Sequence, residues 1–195
     1  MLKDVSKDWE IILASKSPRR NELLKNLGIC FKVILKEVDE SFPPHLSNEE
    51  VAGYISQKKA STFNVNTEKK LVITGDTIVC KGKKVLGKPK NEEEAFEMIQ
   101  SLSGEVHQVI SSYTIKTKDQ EITKSDQVNV FFKPLTVEEI KYYIAHYSPL
   151  DKAGAYGIQE WIGQIGITKI EGSFYTVMGM PIHLLYADLK KIMQA

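Results

Sequence analysis

The run LVITGDTIVC, from Leu71 to Cys80, carries a single charge in ten residues and is otherwise apolar or small. A strand with one face in water alternates polar and apolar residues, whereas a strand apolar on both faces has to lie in a sheet that is covered on both sides. The layered α/β class supplies that cover, and the rest of the chain agrees with it. Strand and helix signals alternate through the first half with short connections and no internal repeat or low-complexity linker.

WEIILAS reads as a short buried strand, and a helix follows from Pro18 to Leu27. Ser17 suits its N-cap, Pro18 its first position and Gly28 its end, while Leu23, Leu24 and Leu27 give it an apolar stripe. FKVILKEV reads as a second strand, ahead of the proline-bearing loop DESFPPHL. Ser47 with Glu50 makes a capping box for a helix to about Ala60, and Lys81–Lys84 forms a hairpin turn after LVITGDTIVC. Asn91 caps the helix EEEAFEMIQSLSG, which Gly104 ends. HQVISSYTIKT and ITKSDQVNVFF alternate around the polar turn KDQE, as an antiparallel hairpin does. Thr136 with Glu139 caps a helix to about His146. A glycine-rich loop from Asp151 to Gly166, a strand near FYTVMG and a C-terminal helix opened by Pro181 complete the chain. Composition marks no domain boundary, so residues 1–195 are expected to form a single domain.

The net charge of +1 gives no general attraction to nucleic acid or to an anionic membrane, so any anion site must come from a local concentration of charge. No apolar run approaches the roughly 20 residues of a membrane span, and MLKDVSKDWE is too charged for a secretory signal. A cytoplasmic protein that uses neither nucleic acid nor a membrane is the expectation. Cys30 and Cys80 lack the spacing of a zinc site and are expected to be reduced, buried thiols.

Against that neutral background the start of the first helix stands out. Lys16, Arg19 and Arg20 lie where the helix dipole is already positive and where Asp or Glu is favoured. The helix after Asn91 obeys the rule, with three glutamates in its first turn. An anion held by backbone N–H groups and guanidinium forks resolves the conflict; the plainer alternative is a pair of surface arginines that tolerate their position. The anion reading is preferred, because a local rule broken without compensation marks functional sites. Neither GxxxxGK[ST] nor GxGxxG is present.

Asp76 interrupts the apolar strand and requires a cation, a lysine or a metal beside it, or a strand end that meets solvent; a structural turn aspartate is the alternative. Glu40, in VDE, can join it as an oxygen ligand for Mg²⁺, which takes one or two carboxylates together with phosphates. Lys88 in GKPK offers a second phosphate-facing cation, or a solvated lysine. In DKAGAYGIQ the small residues permit close backbone approach while Lys152, Tyr156 and Gln159 offer charge, a stacking face and an amide; a plain glycine-rich loop fits as well. His107 reads as a structural hydrogen-bonding residue rather than a general base, and Trp9 and Trp161 as packing residues. Nucleic-acid binding through Arg19, Arg20 and the lysines of residues 81–84 is disfavoured, since no basic stripe interleaved with aromatics is present.

Taken in order, SKSPRRNELL, VDE, QKKA, GDTIV, GKP, LSGEVHQV, DKAGAYGIQ and GSFYTVMGMP resemble the Maf family of nucleoside triphosphate pyrophosphatases, from about Ile11 to Leu185. The resemblance implies a fold akin to the inosine triphosphate pyrophosphatases, an elongated α/β structure around a long mixed sheet, with two lobes and a central cleft. It implies hydrolysis of a nucleoside triphosphate to the monophosphate and pyrophosphate with a divalent metal, Mg²⁺ or Mn²⁺, and it suggests a homodimer. SPRR, GDT and AYGIQ resemble the dTTP/UTP branch, in which the positions matching Arg19, Thr77 and Gln159 discriminate the base. The position matching Asp76 is the family's proton acceptor. Those matching Ser15, Arg20, Glu40, Lys59 and Lys88 line the phosphate and metal region, with Glu40 and Asp76 as the metal ligands. Tyr175 and Thr176 fall where relatives vary and receive no role. The alternative function is a non-catalytic, nucleotide-binding regulator of cell division and septum formation.

Overall fold

The computed structural model describes residues 2–194. Its elements in chain order are α1 (Leu2–Val5), β1 (Glu10–Leu13), α2 (Pro18–Asn26), β2 (Lys32–Val33), α3 (Asn48–Ser61), β3 (Lys70–Lys81), β4 (Lys84–Leu86), α4 (Glu92–Leu102), β5 (Val106–Lys116), β6 (Glu121–Phe132), α5 (Val137–Tyr147), α6 (Trp161–Gly166), β7 (Ile167–Glu171), α7 (Phe174–Met178) and α8 (Ile182–Gln194). The strands form one sheet in the order β2-β1-β3-β5-β6-β7, with β4 paired to β3. It is mixed: β1 runs parallel to β2 and β3, while β4 is antiparallel to β3 and β7 to β6.

Local chemistry sets the helix starts. Ser17 Oγ accepts the Arg20 N–H, Asn91 Oδ1 accepts that of Glu94, and capping boxes open α3 at Ser47/Glu50 and α5 at Thr136/Glu139. β3 is buried along nearly its whole length, which is what its apolar run demands. Ser112 lies 2.5 Å from Ser125 and Thr114 2.8 Å from Thr123, hydroxyl to hydroxyl, so β5 and β6 step in opposite senses as a hairpin requires.

The chain groups into two compact units. The first holds the chain up to Asp76, Ser111–Asp126 and the chain from Gly179 onward; the second holds Thr77–Ile110 and Gln127–Met178. Three of the divisions fall inside β3, β5 and β6, where no linker composition marks them. In the first unit Leu13, Leu24, Leu71, Ile73 and Leu185 are fully buried; in the second Ile99, Leu102, Val130 and Ile162 are. Among the described residues no helix is long and apolar enough to cross a membrane.

Four sequence expectations are corrected. FKVILKEV is strand only at Lys32–Val33, because β2 is a sheet edge with one neighbour, and Val33, Ile34 and Leu35 are exposed. FYTVMG is a helix, not a strand: Ser173 O accepts the Thr176 and Val177 N–H groups, and Gly172 and Gly179, at φ 128° and 124°, bracket the turn. The strand lies just upstream, as β7. The loop from Asp151 to Gly166 contains a 3₁₀ turn at Ala153–Ala155 and α6, and follows another 3₁₀ turn at Pro149–Asp151. Cys80 is buried, but Cys30, just after α2, is exposed.

Ile73→Ala, at a fully buried position of β3, is expected to lower the unfolding free energy in urea by about 2–5 kcal/mol. Ile34→Ala on the exposed edge should change it by no more than about 0.5 kcal/mol. Equal losses for the two variants would restore Ile34 to a buried strand.

Candidate active site

The loop joining β1 to α2 is tied to β3 by the Ala14 N–H, which donates to Ile73 O at 2.8 Å. Ser15, buried within it, accepts from the Ser17 N–H at 3.2 Å and from Arg20 Nη1 at 3.3 Å. Arg20 does not lie on the surface. Its side chain is 9% exposed and turns inward to donate from Nε to Gly179 O at 2.8 Å. Burial pushes the pKa of this guanidinium down, and Arg19 adds to that, whereas Asp76 and Glu40 oppose it. Two of the three cations at the helix start, Lys16 and the half-buried Arg19, keep more contact with solvent.

Asp76 occupies β3, and its carboxylate is met by a lysine. Lys59, in the last turn of α3, places Nζ 2.7 Å from Asp76 Oδ1, 2.9 Å from Glu40 Oε1 and 3.5 Å from Gly75 O. Glu40 stands in a loop that α3 also grips, since Lys58 Nζ donates to Asp39 Oδ2 and to Ser41 O, each at 3.1 Å. Hydrogen bonds from Ser41, and then Lys58, hold the Asp39 carboxyl at about 2. Ser15 bonds Arg20, Lys59 bridges Glu40 and Asp76, and both acids act on the Arg20 guanidinium, so these five residues lie together, while Lys88 lies in the other unit.

Two carboxylates converging on one cationic point form a donor set that suits Mg²⁺ or Mn²⁺, which accept carboxylate oxygens and fill their other positions with phosphate and water. Glu40 and Asp76 therefore fit a divalent cation as ligands. Among the described residues no group of three or more His, Cys, Asp and Glu side chains is arranged around a metal position, so a cation here would draw its remaining ligands from substrate and water.

Two glycines and Lys58 complete the group without having been singled out for roles in the sequence. A Cβ on Gly75 would lie 3.0 Å from Ser112 O, 3.2 Å from Met180 Cε and 3.4 Å from Arg20 Nε, so a side chain here would crowd the backbone of β5 first. A glycine inside a β-branched strand is a legible sign of such close approach. The part played by Gly179, a backbone carbonyl, has no signature in the sequence.

The remaining candidates belong to the second unit. Thr77 is half-buried, and Lys88 and Gln159 are exposed. The Gly154 N–H donates to Gly87 O at 3.1 Å, which ties DKAGAYGIQ to the turn that carries Lys88. Gly154, at φ +70°, packs where a Cβ would meet the Val79 methyls at 3.0 Å. Lys152 is turned inward, 2.9 Å from Asp151 Oδ1 and 3.2 Å from Glu160 Oε1, so it is not a charge offered to a ligand. Tyr156 is no stacking platform either. It is buried, with its hydroxyl 2.7 Å from His107 Nε2, and its ring meets those of His107 and Phe132 edge-on. Of the three side chains, Gln159 alone reaches solvent.

His107 has the structural part expected of it. It is 2% exposed, and burial, with Lys81 adding to it, pushes its pKa down to about 4, so the ring is neutral.

The family model of Maf-like protein matches residues 10–192. A protein of Bacteroides thetaiotaomicron named dTTP/UTP pyrophosphatase is 48% identical over 186 residues, covering 94% of this chain and 96% of its own. A protein of Christiangramia forsetii with the same name is 45% identical over 196 residues, covering 100% of both chains. Among solved structures, the Ham1 protein of Staphylococcus aureus aligns over 93% of this chain and 98% of its own, with a TM-score of 0.52 and 21% identity. A HAM1 protein from Coxiella burnetii aligns over 94% and 99%, with a TM-score of 0.50 and 12% identity. The likeness to these structures is one of fold: a mixed sheet flanked by helices, as the motifs implied.

The depressed pKa of His107 has a consequence for stability. Between its folded value of about 4 and the ordinary 6.5, the unfolded chain binds a proton that the folded chain does not. The contribution of neutral His107 is therefore complete above about 6.5 and is lost as pH falls toward 4, by about 3 kcal/mol in all. Urea unfolding at pH 7 and pH 4.5 should show His107→Gln losing about 2 kcal/mol less than the parent protein over that interval. Equal losses would show that His107 accepts a proton within the fold at ordinary cost.

Proposed function

The chain belongs to the Maf family, and from that premise we propose that it hydrolyses dTTP and UTP to the nucleoside monophosphate and pyrophosphate. The observation that carries the reading is Lys59 Nζ bridging Asp76 and Glu40 in the same unit as the buried Arg20. The relatives named dTTP/UTP pyrophosphatase, 45–48% identical across almost the whole chain, supply the substrate class. Cytoplasmic nucleotides are the proposed pool, and a homodimer the proposed assembly.

In this reading Asp76 orients a water and accepts its proton. The water oxygen attacks the α-phosphorus, the bond from that phosphorus to the bridging oxygen breaks, and pyrophosphate leaves. Lys59 holds Asp76 Oδ1, which leaves Oδ2 as the proton acceptor. Ser15 orients Arg20, and Arg20 stabilises the charge that develops on the phosphates, the main electrostatic task in phosphoryl transfer. Glu40 and Asp76 would hold Mg²⁺ or Mn²⁺, which when bound neutralises phosphate charge and lowers the pKa of water. Lys88 is assigned to phosphate and Thr77 to the base by the motif match. The same motif match assigns Arg19 and Gln159 to discrimination of the base, Arg19 as a residue type that offers donors and Gln159 as one that offers a donor and an acceptor, the functions that a pyrimidine edge requires.

Asp76→Asn should lower the rate of pyrophosphate release from dTTP by about 100-fold or more while calorimetry still registers nucleotide binding. A near-normal rate would remove Asp76 from the mechanism. With Mg²⁺ or Mn²⁺ present, dTTP and UTP should be hydrolysed faster than any purine triphosphate, and chelation should abolish turnover. Faster purine hydrolysis would overturn the base assignment, and nucleotide binding without any turnover would instead favour the regulator.

A further inference from the structure

We propose that the buried hydroxyls of Ser56 and Thr74 are positioning residues, which fix where α3 stands against β3 and thereby set Lys59 on Asp76. The proposal rests on the function given above, because it concerns the acid pair of that site.

Two polar rungs join α3 to the front half of β3. In the first, Thr74 Oγ1 donates to Ser56 O at 2.7 Å, and Ser56 Oγ, 3.1 Å from Thr74 Oγ1, donates to Thr114 Oγ1 at 2.9 Å. In the second, Lys59 Nζ meets Asp76 Oδ1 at 2.7 Å. Residues three apart on a helix share a face, as do residues two apart on a strand, so Ser56 with Lys59 and Thr74 with Asp76 present both rungs along one interface. Each hydroxyl has a single proton to give. Thr74 gives its proton to the helix backbone and Ser56 gives its own to Thr114 on β5, whose hydroxyl also pairs with that of Thr123 at 2.8 Å. These bonds tie β3, α3 and the hairpin together.

Ser56, Thr74 and Thr114 are all 0% exposed. Apolar side chains would fill this interface without the desolvation that buried hydroxyls suffer, so packing alone does not account for them. What apolar contact lacks is direction. A helix that slips by one residue rises about 1.5 Å and turns by about 100°, enough to carry a lysine away from a carboxylate on the facing strand. The Thr74–Ser56 backbone bond resists that slip one turn of helix before Lys59. It acts on a small-residue face, since Ala52, Gly53, Ser56 and Ala60 are all buried and let α3 approach closely. Lys59 then reaches Asp76 and Glu40 from a helix whose height and rotation are already set, which lowers the side-chain entropy lost in holding it there.

The test separates the hydroxyl from the methyl of Thr74. Thr74→Val keeps the shape and removes the hydroxyl, whereas Thr74→Ser keeps the hydroxyl and loses the methyl. With dTTP and saturating Mg²⁺, Thr74→Val should lose about tenfold in kcat with KM within about twofold, and Thr74→Ser should keep kcat within about twofold even though it melts at a lower temperature. If Thr74→Val fails to fold, Thr74→Ala, which also lacks the hydroxyl that reaches the Ser56 carbonyl, stands in for it with the same expected loss. Retention of kcat by the hydroxyl-less variant, or an equal loss in Thr74→Ser, overturns the proposal. A second readout needs no turnover: acetylation of Lys59 by an amine-reactive ester, followed by peptide mass spectrometry. Labelling should be several-fold faster in the hydroxyl-less variant than in the parent or in Thr74→Ser, and unchanged labelling overturns the proposal. A parent protein that fails to hydrolyse dTTP would sink the proposed function alone, and the labelling would still decide the role of the hydroxyls.

Discussion

The ammonium of Lys59, held between Asp76 and Glu40, is the interaction on which the first unit's site depends. A carboxylate in the middle of a buried strand is costly unless a cation stands beside it, and one partner shared by two carboxylates brings both to the same point. Arg20 is the complementary case. It is a buried guanidinium that shares a field with the same two acids and is aimed by Gly179 O and Ser15 Oγ. Two acids and two bases balance before any substrate arrives. In the proposed function a triphosphate would add several negative charges to that balance, which a divalent cation would offset.

The placement of these charges follows the helix dipoles in one case and breaks with them in the other. Lys58 and Lys59 sit in the last turn of α3, where cations are favoured, and they reach in different directions to grip the loop of Glu40 and the carboxylate of Asp76. Arg20 sits at the unfavourable end of α2 and is held there by tertiary contacts: a serine from the preceding loop and a carbonyl that lies 159 residues away in the sequence. In the second unit the same economy serves structure. Glu160 takes Lys152 and, from α5, the Tyr143 hydroxyl as partners beside Gln159, and His107 pairs with Tyr156.

Much of this was legible in the residues. The caps at Ser17, Ser47, Asn91 and Thr136 announce their helices because each cap side chain accepts a backbone N–H three residues along. Asp76 stood out as a charge in an apolar strand and Arg20 as a charge at the wrong end of a helix. The misreadings share one cause. FKVILKEV has strand propensity throughout but gains a sheet neighbour on one side only, and FYTVMG has strand-forming residues that two glycines at positive φ fold into a helix. Lys152 and Tyr156 read as ligand-facing from their types, yet partners elsewhere in their own unit draw them inward.

By itself the sequence determined the alternation of strands and helices, the sites of helix initiation, and the identity of the charges that break local rules. Those outcomes depend on free energies exchanged within a few residues of chain. Only the tertiary structure decided that Lys59 is the partner of both acids, that Arg20 points toward Gly179 rather than into solvent, and that Ser56 and Thr74 meet in the interior. Each of those pairings joins segments 17 to 159 residues apart, and their closeness is fixed by which faces of the helices pack against β3, which no local preference encodes.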